Sequence, residues 1–409
     1  MKIQRCKGMR DMSPAEMAVF HAVKGVCRES FTKWGYREVR TPTIEYLHLF
    51  TSAGTLTPTM LGKVYSFLDW DGWSGERVVL RPDGTIPVAR LYTETMSGQK
   101  LARLFYAANM FTFETGEKTR ERWQCGAELI GAGSALADGE LIALSMEIVN
   151  KLGLKGIELR LSHAGLIKAL LARLKATPEE QHRIFDSILD GDTAVLSKVS
   201  RETPELGDAL LPLLSLKGQS TGFLKNQRAL LINAMPEIAS SLEDFLNTVA
   251  ILDDLGIKYQ INIASGAGFE YYTGMIFQLF AAKEKIGGGG RYDALIRSMG
   301  GGDVPASGFA VYLDPLIKLV KSEDLTPPEL KRILIKKSAE VSAKEAFNVA
   351  DILRAAGYVA ELDLDGQTAD WTLEVKGGGA LVLTNKARKK TDMKSIEEVI
   401  KLLEAKGEG

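Results

Sequence analysis

The amino-acid sequence predicts an α+β protein with an antiparallel sheet core and helices, a helical insertion, and a small C-terminal α/β domain. Residues 110–131 carry alternating apolar and polar side chains on both sides of a polar, turn-prone stretch, which is typical of a β-hairpin. Leucines recur at helical spacing through residues 165–255. A stiff Thr-Pro-Pro linker at residues 326–328 precedes a segment in which strand-like and helix-like stretches alternate.

The first part of the core is predicted to occupy residues 1–164. Its first helix begins at a capping box, Ser13 to Glu16, with proline at the first helical position, and is expected to stop at Gly35. A strand at residues 36–45 is interrupted by Pro42, which indicates an edge or a bulge. Later elements are expected at residues 77–85, 86–97, 104–109, 110–115, 123–131, 138–151 and 157–162.

Beyond the insertion at residues 165–255, the second part of the core is predicted at residues 256–325. There, the glycine-rich segment at residues 287–293 is expected to lead into a helix. Glycine-rich turns at helix starts can cradle phosphate, but a position beside a small bound ligand is favoured on the resemblance given below. The C-terminal domain, residues 330–409, is expected to contain strands at 333–335, 359–364 and 380–384, and helices at 343–356 and 395–404. Its basic run at residues 387–390 could contact RNA, but a solvated turn is favoured because acids nearly balance bases in this domain.

Composition and charge are those of an ordinary globular protein. The 409 residues are 45% hydrophobic and 25% charged, and the net charge of −1 makes nucleic acid an unexpected main partner. No apolar signal core or run of eighteen apolar residues occurs, so we expect a cytoplasmic protein without a membrane partner. Reduced thiols are expected of the widely spaced Cys6, Cys27 and Cys125. No spacing suggests a metal site, and structural or exposed roles are expected of His21, His48, His163 and His182.

The second hairpin strand carries the first candidate site. Gln124, Gly126 and Glu128 fall on one face because side chains along a strand alternate. The amide of Gln124, the space beside Gly126 and the carboxylate of Glu128 would then lie in one row. A small cationic ligand could bind there. The alternative is an ordinary hairpin whose polar side chains face water.

This hairpin resembles motif 2 of the class II aminoacyl-tRNA synthetases and is most similar to that of histidyl-tRNA synthetase. Similar resemblances occur at residues 7–11 (KGMRD), 81–85 (RPDGT), 267–274 (AGFEYYTG), 289–293 (GGRYD) and, for motif 3, 308–316. The helix–strand–proline order near the N-terminus resembles motif 1, which implies a self-dimer through that segment, although an edge strand without a partner is the local alternative. The resemblance covers residues 7–320 well, and the C-terminal domain loosely resembles a shortened anticodon-binding domain.

The resemblance implies a pocket for histidine. Asp83 and Thr85 would contact the α-amino group, and Tyr272 would hydrogen-bond the imidazole ring with Glu128 as its partner. The complete set implied to bind histidine is Asp83, Thr85, Gln124, Glu128, Tyr271, Tyr272 and Tyr292. Local alternatives remain, because Pro-Asp-Gly makes a plain turn and a Tyr-Tyr pair is common in cores.

Three arginines that the synthetase family uses to hold ATP are replaced here by Thr112, Ala267 and Pro315. Arginine suits adenylate formation because its planar fork binds phosphate bidentately and keeps its charge. One such arginine can contribute on the order of 10³ to 10⁵ in rate. Arg120 or Arg122 could compensate for one loss, but the loss of all three indicates that adenylation has been given up and that no catalytic residue remains.

A chain that recognises histidine without activating it is predicted to be a sensor. This combination resembles the histidyl-tRNA synthetase-like regulatory subunits of ATP phosphoribosyltransferase, the first enzyme of histidine biosynthesis. The resemblance implies a non-catalytic subunit without a cofactor, a hetero-octamer with the short-form catalytic subunit, and feedback regulation by L-histidine. Two alternatives remain open: a divergent histidyl-tRNA synthetase that charges tRNA in an ATP-dependent reaction, and a tRNA- or protein-binding pseudo-synthetase with another regulatory role.

Overall fold

The computed structural model of the chain describes residues 4–52, 61–69, 75–116, 118–172, 217–218, 221–262, 272–321 and 331–405, with scattered positions between 177 and 201. The chain divides into two compact units, Met1–Leu325 and Thr326–Gly409. In the first unit the helices and strands are, in chain order, α1 (Pro14–Lys33), β1 (Arg37–Glu38), β2 (Ile44–Tyr46), α2 (Leu47–Ser52), β3 (Ser66–Leu68), β4 (Arg77–Leu80), α3 (Thr85–Thr95), β5 (Ala102–Phe111), β6 (Glu121–Ile130), α4 (Ala135–Lys151), β7 (Glu158–His163), α5 (Ala164–Leu171), β8 (Lys217–Gly218), α6 (Thr221–Ala234), α7 (Ala239–Asp254), β9 (Gln260–Asn262), β10 (Met275–Ala281), β11 (Glu284–Arg291), α8 (Ala294–Ser298), β12 (Ala306–Tyr312) and α9 (Leu313–Leu319).

A nine-stranded sheet organises the first unit, in the order β1-β5-β6-β12-β11-β10-β7-β9-β8. Its six central strands, β5 to β7 in that order, are antiparallel to their neighbours. Parallel pairs, β1 with β5 and β7 with β9, occur towards the two edges. A separate three-stranded sheet has the order β2-β4-β3.

The two faces of the large sheet have different roles. Phe105, Ala127 and Phe309 face one another across β5, β6 and β12, and Phe277 continues their row on β10. The Phe31 ring on α1 packs on this row, 5.1 Å from the Phe105 ring centroid. Because side chains alternate along each strand, the neighbouring rows of the same strands point to the opposite face, where the candidate pocket lies.

The start of the chain agrees closely with its prediction. The Ser13 backbone N–H donates to Glu16 Oε2 at 2.7 Å, and the Ser13 hydroxyl accepts from the Glu16 N–H at 3.3 Å, which completes the capping box of α1. The helix ends at Lys33, just before Gly35, whose φ of 82° favours glycine. The predicted strand at residues 36–45 is two short strands in different sheets, β1 and β2, with Pro42 between them.

The hairpin boundaries were predicted incorrectly on the first strand. That strand is β5, which runs from Ala102 to Phe111 rather than over residues 110–115, so Thr112 lies beyond its end. The second strand, β6, matches the prediction to within two residues. The error arose because the residues before 110 are nearly all apolar and show no alternation, as expected for a strand buried on both faces.

The segment at residues 287–293 leads into a helix as predicted, since α8 begins at Ala294, but its glycines do not form a turn. They are the interior of β11. A Cβ atom on Gly289 would lie 2.1 Å from the Gly308 carbonyl oxygen, and one on Gly290 would lie 2.5 Å from that of Met275. These glycines are therefore required by close approach of neighbouring strands, and they are not a phosphate cradle.

The insertion at residues 165–255 is not helical throughout. Its described part includes helices α6 and α7, but β8 pairs with β9 at the edge of the large sheet. The predicted helix start at Thr177 is supported by its hydroxyl, which accepts from the Glu180 N–H at 3.3 Å. All three cysteines are free, as predicted.

The second unit contains β13 (Arg332–Lys337), α10 (Ala343–Ala355), β14 (Val359–Leu362), β15 (Trp371–Val375), β16 (Leu381–Asn385), β17 (Lys390–Met393) and α11 (Ile396–Ala405). Its sheet has the order β14-β13-β15-β16-β17. Strands β15 and β17 were not predicted, although the alternation that buries Leu373 and Val375 was visible in the sequence. The basic run at residues 387–390 spans the turn between β16 and β17, with Arg388 at a φ of 60°.

Candidate ligand pocket

A cavity of about 60 Å³ lies on the sheet face opposite the aromatic row, between the start of α3 and strands β6, β10, β11 and β12. Because one water molecule needs roughly 10–15 Å³ on this scale, the space suits a small polar molecule. Five of the seven predicted histidine-binding residues line it: Asp83, Thr85, Gln124, Tyr272 and Tyr292. Glu128 lies directly behind two of them, and Tyr271 lies outside the described residues.

The gap that the sequence places at Gly126 is already filled. A Cβ atom on Gly126 would lie 2.5 Å from the Tyr106 hydroxyl oxygen, and one on Gly84 would lie 2.5 Å from the same atom. The Tyr106 ring therefore covers both glycines, and its hydroxyl accepts from Gln124 Nε2 at 3.0 Å. The prediction that this gap admits a ligand was wrong, because the apolar run that contains Tyr106 gave no sign that its ring would fill it.

Glu128 is fully buried and is held by two hydroxyl groups. Its Oε1 accepts from the Thr85 hydroxyl at 2.8 Å, and its Oε2 accepts from the Tyr292 hydroxyl. The carboxylate fits because Gly308 faces it on β12, where a Cβ atom would lie 1.8 Å from Oε2. Burial raises the pKa of Glu128 to about 8, against the lowering effect of these hydrogen bonds.

Asp83 has a structural role besides its place in the cavity wall. Its Oδ1 accepts from the Ile86 N–H at 2.8 Å, which caps the start of α3. Burial raises the pKa of Asp83 to about 6, although the backbone N–H groups of this turn oppose the rise. The two interpretations of the Pro-Asp-Gly sequence are therefore compatible. It forms a turn, and this turn places the Asp83 carboxylate at the cavity.

These two carboxyl groups make one end of the pocket acidic. Among the described residues, the charged group that shifts the pKa of Glu128 is Asp83, which raises it further, and no lysine or arginine contributes. A buried carboxylate without a cationic partner is unfavourable. The pocket can therefore gain stability from a ligand that brings a positive charge or several N–H donors. In the described part of the chain, no group of three His, Cys, Asp or Glu side chains could hold a metal ion.

Comparison with known proteins identifies the family. The sequence model described as histidyl-tRNA synthetase matches residues 8–316. The chain belongs to the histidyl-tRNA synthetase family. It is 51% identical over 98% of both chains to a protein named ATP phosphoribosyltransferase regulatory subunit from Dehalococcoides mccartyi. It is 33% identical to a histidine–tRNA ligase from Methanocaldococcus jannaschii, over 89% of this chain and 86% of that one.

Solved structures confirm the predicted α+β fold of class II synthetase type. A crystal structure titled as an ATP phosphoribosyltransferase regulatory subunit/histidyl-tRNA synthetase from Bacillus halodurans superposes with a TM-score of 0.76. It is 24% identical and covers 90% of this chain and 94% of its own. Histidyl-tRNA synthetase from Nostoc gives a TM-score of 0.74 at 17% identity, over 99% of this chain and all of its own.

In this member of the histidyl-tRNA synthetase family, two of the three positions at which the sequence resemblance implies a lost arginine lie among the described residues. Thr112 follows β5, and its N–H donates to the Arg120 carbonyl at 2.9 Å. Pro315 lies within α9, next to Asp314, which accepts from the Trp123 N–H at 2.8 Å. Ala267 lies outside the described residues.

The two arginines that could compensate for a lost one lie in different settings. Arg120 Nε donates to the Glu114 carbonyl at 2.7 Å, and its guanidinium carbon lies 5.2 Å from the centroid of the Phe113 ring. Arg120 is therefore used to hold the hairpin loop. Arg122 is exposed on the pocket-facing side of β6, two residues before Gln124.

A buried ion cluster on the other face of the sheet supports the pocket and was missed by sequence reasoning. Arg291 forms ion pairs with Asp138 on α4 and, at 2.8 Å, with Asp244 on α7. Asp244 also contacts His163 Nε2 at 3.1 Å. The Arg291 carbonyl also accepts from the Thr273 N–H at 2.7 Å. The cluster therefore holds in place the end of β11 and the segment just before β10, which both border the pocket. Its members are more than twenty residues apart in sequence, and only folding brings them together.

His163 has the structural role that was expected of the histidines. It is fully buried, and burial lowers its pKa despite the nearby Asp244 carboxylate. His182 lies outside the described residues.

Proposed function

We propose that this chain is a non-catalytic regulatory subunit of ATP phosphoribosyltransferase that acts in the cytoplasm and senses L-histidine in the pocket described above. The relatives at about 50% identity over nearly the whole chain carry this name. The observation that carries the proposal is the combination of two buried carboxyl groups at the cavity, whose pKa values burial raises, with uncharged side chains where the family resemblance places ATP-binding arginines.

Histidine matches the chemistry of this pocket. Its ammonium group can donate to the Asp83 carboxylate and to the Thr85 hydroxyl, which donates its own proton to Glu128 and keeps lone pairs free. Its imidazole ring carries N–H groups that suit a buried carboxyl group such as Glu128. Tyr272 is proposed to hydrogen-bond the ring and Tyr292 to form a wall of the pocket, with Tyr271 and Gln124 completing the predicted set.

Adenylate formation has little support in this site. The amino-acid carboxylate must attack the ATP α-phosphate with pyrophosphate leaving, and the approach of these two anions requires cationic groups close to both. Thr112 and Pro315 supply none, and Arg120 is engaged within its own loop. A pocket of this kind can bind an amino acid and leave it unchanged, which is what a sensor requires.

The proposed partners are a second copy of the chain and the short-form catalytic subunit, together in a hetero-octamer. Support for the self-dimer comes from β1, which lies at the edge of the large sheet. A groove lined by Arg28, Tyr36 and Glu38 runs beside that edge, between α1 and β1. An open sheet edge is a ready template for pairing with another chain.

Co-purification with a short-form catalytic subunit, followed by assay of ATP phosphoribosyltransferase activity with and without histidine, tests the proposal. We expect activity only when both subunits are present, and inhibition by histidine. Activity of the catalytic subunit that is independent of this chain would contradict the proposal.

The second candidate function is that of a divergent histidyl-tRNA synthetase. The 33% identity to histidine–tRNA ligases over 89% of the chain favours it. Histidine-dependent pyrophosphate exchange by the purified chain would establish this function in place of the regulatory one. Tight, salt-dependent tRNA binding without exchange would instead indicate a tRNA-binding pseudo-synthetase.

A further inference from the structure

We propose that Lys285 is an anion-binding subsite that makes this pocket select a zwitterionic amino acid over the corresponding amine. The inference rests on the proposed histidine site and adds the group that would recognise the ligand carboxylate. Lys285 belongs to no motif that the sequence analysis singled out. It nevertheless lines the same cavity as Asp83 and Thr85.

A β-bulge brings Lys285 to the pocket. Strands β10 and β11 pair regularly from Ile276 with Gly290 to Leu279 with Gly287, and then resume at Phe280 with Lys285. Ile286 is thus an extra residue on β11, and it is fully buried. An extra residue reverses the alternation of side chains beyond it, which places Lys285 on the same face as the cavity. Without the bulge, the lysine would point to the apolar side of the sheet.

The cavity therefore has an acidic end and a basic end. Gly290 lies in the row of Gly308 and Glu128, which marks the acidic end. Lys285 lies four rows further along β10, a distance of about 13 Å at roughly 3.3 Å per residue. Its long, flexible stem lets the ammonium group reach back along the cavity that it lines.

A lysine here would balance the charge of the ligand carboxylate. An amino acid brings a carboxylate as well as its positive groups, and an uncompensated carboxylate would lie close to Asp83 and Glu128. The ammonium group of lysine is a compact charge with three N–H donors, which suits a carboxylate that must be bound but not activated. An amine ligand has no carboxylate for this lysine to bind, and the positive charge of the lysine would repel the positive charge of the amine.

Arg122 is the competing cation. It is exposed on the pocket-facing side of β6, close to the cavity wall at Tyr312. Burial raises the pKa of Tyr312, and the charge of Arg122 opposes that rise, which places the guanidinium within electrostatic range. Lys285 is favoured because it lines the cavity itself, whereas Arg122 does not.

Calorimetric titration of the full chain in complex with its catalytic subunit, using L-histidine and histamine in parallel, tests the proposal. Histamine lacks the carboxylate but keeps the ammonium and imidazole groups. The Lys285→Met substitution should weaken histidine binding by about 10- to 100-fold, as expected for a hydrogen bond between charged groups, and should leave histamine affinity unchanged or higher. Lys283→Met, in the turn before β11, is the matched control and should change neither affinity.

Lys285→Arg keeps the charge and should retain most of the preference for histidine, which separates a charge effect from damage to the fold. The proposal is overturned if Lys285→Met weakens both ligands equally or neither, or if Arg122→Met abolishes the preference instead. In those cases histidine still binds the unaltered complex, so the proposed function survives. If the unaltered complex binds neither ligand, the proposed function fails as well.

Discussion

Replacing Glu128 by glutamine should change how the stability of the first unit depends on pH. The substitution keeps the shape of a fully buried side chain and removes its ability to ionise. In the folded protein, burial raises the pKa of Glu128 from 4.5 to about 8. Between these values the folded state binds more protons at this group than the unfolded state, so the unaltered protein loses stability as the pH rises.

The size of this change in stability follows from the shift in the pKa of Glu128. A rise of this size is equivalent to about 5 kcal/mol of stability that is present at pH 4 and absent above pH 8. The glutamine variant lacks this loss, but one of its amide positions faces a hydroxyl donor, which costs about 1 kcal/mol at every pH. We therefore expect the variant to be slightly less stable near pH 4.5 and several kcal/mol more stable near pH 8.5.

Urea titrations at several pH values, read by hydrogen exchange of the amides in β5 and β6, would measure this difference. Asp138 and His163 titrate in both proteins and are not coupled to Glu128, so their contributions cancel when the two stabilities are subtracted. A difference that stays constant from pH 4.5 to 8.5 would show instead that Glu128 titrates as an ordinary carboxyl group.

Two further substitutions test the supports of the pocket. Asp138→Asn removes a buried partner of Arg291 and should reduce the free energy of unfolding, measured by urea titration, by about 3–5 kcal/mol. The control Glu94→Gln removes one partner of an exposed ion pair and should change the free energy of unfolding by less than about 1 kcal/mol. Gly308→Ala places a Cβ atom 1.8 Å from Glu128 Oε2 and should abolish histidine binding in calorimetry. Gly25→Ala, whose Cβ meets nothing within 4 Å on α1, should instead stabilise the protein by up to about 1 kcal/mol and leave histidine affinity unchanged.

Part of the fold could be predicted from the sequence because it depends on interactions between residues that are close together in the chain. The capping box at Ser13 and Glu16 identifies the start of α1 because both partners lie within one helical turn. The alternation on β6 correctly placed Gln124 and Glu128 on one face, since strand periodicity is a property of the backbone itself.

Other features depend on neighbours that are distant in the chain. The glycines of β11 carry no strand signal of their own, and only the close approach of β10 and β12 explains them. In the same way, Tyr106 fills the space over Gly126 from the adjacent strand, and Arg291 meets Asp138 across 153 residues. The side chains of the pocket could be named from the sequence, but the hydrogen bonds between them could not be predicted from it.

Calorimetric titration of L-histidine into the complex with the catalytic subunit, with and without saturating substrate, decides whether this chain is a histidine sensor. We expect histidine to bind this chain and substrate to weaken the binding by about 5- to 150-fold, equivalent to a coupling free energy of about 1–3 kcal/mol. No binding of histidine, or an affinity that substrate leaves unchanged, would contradict this expectation.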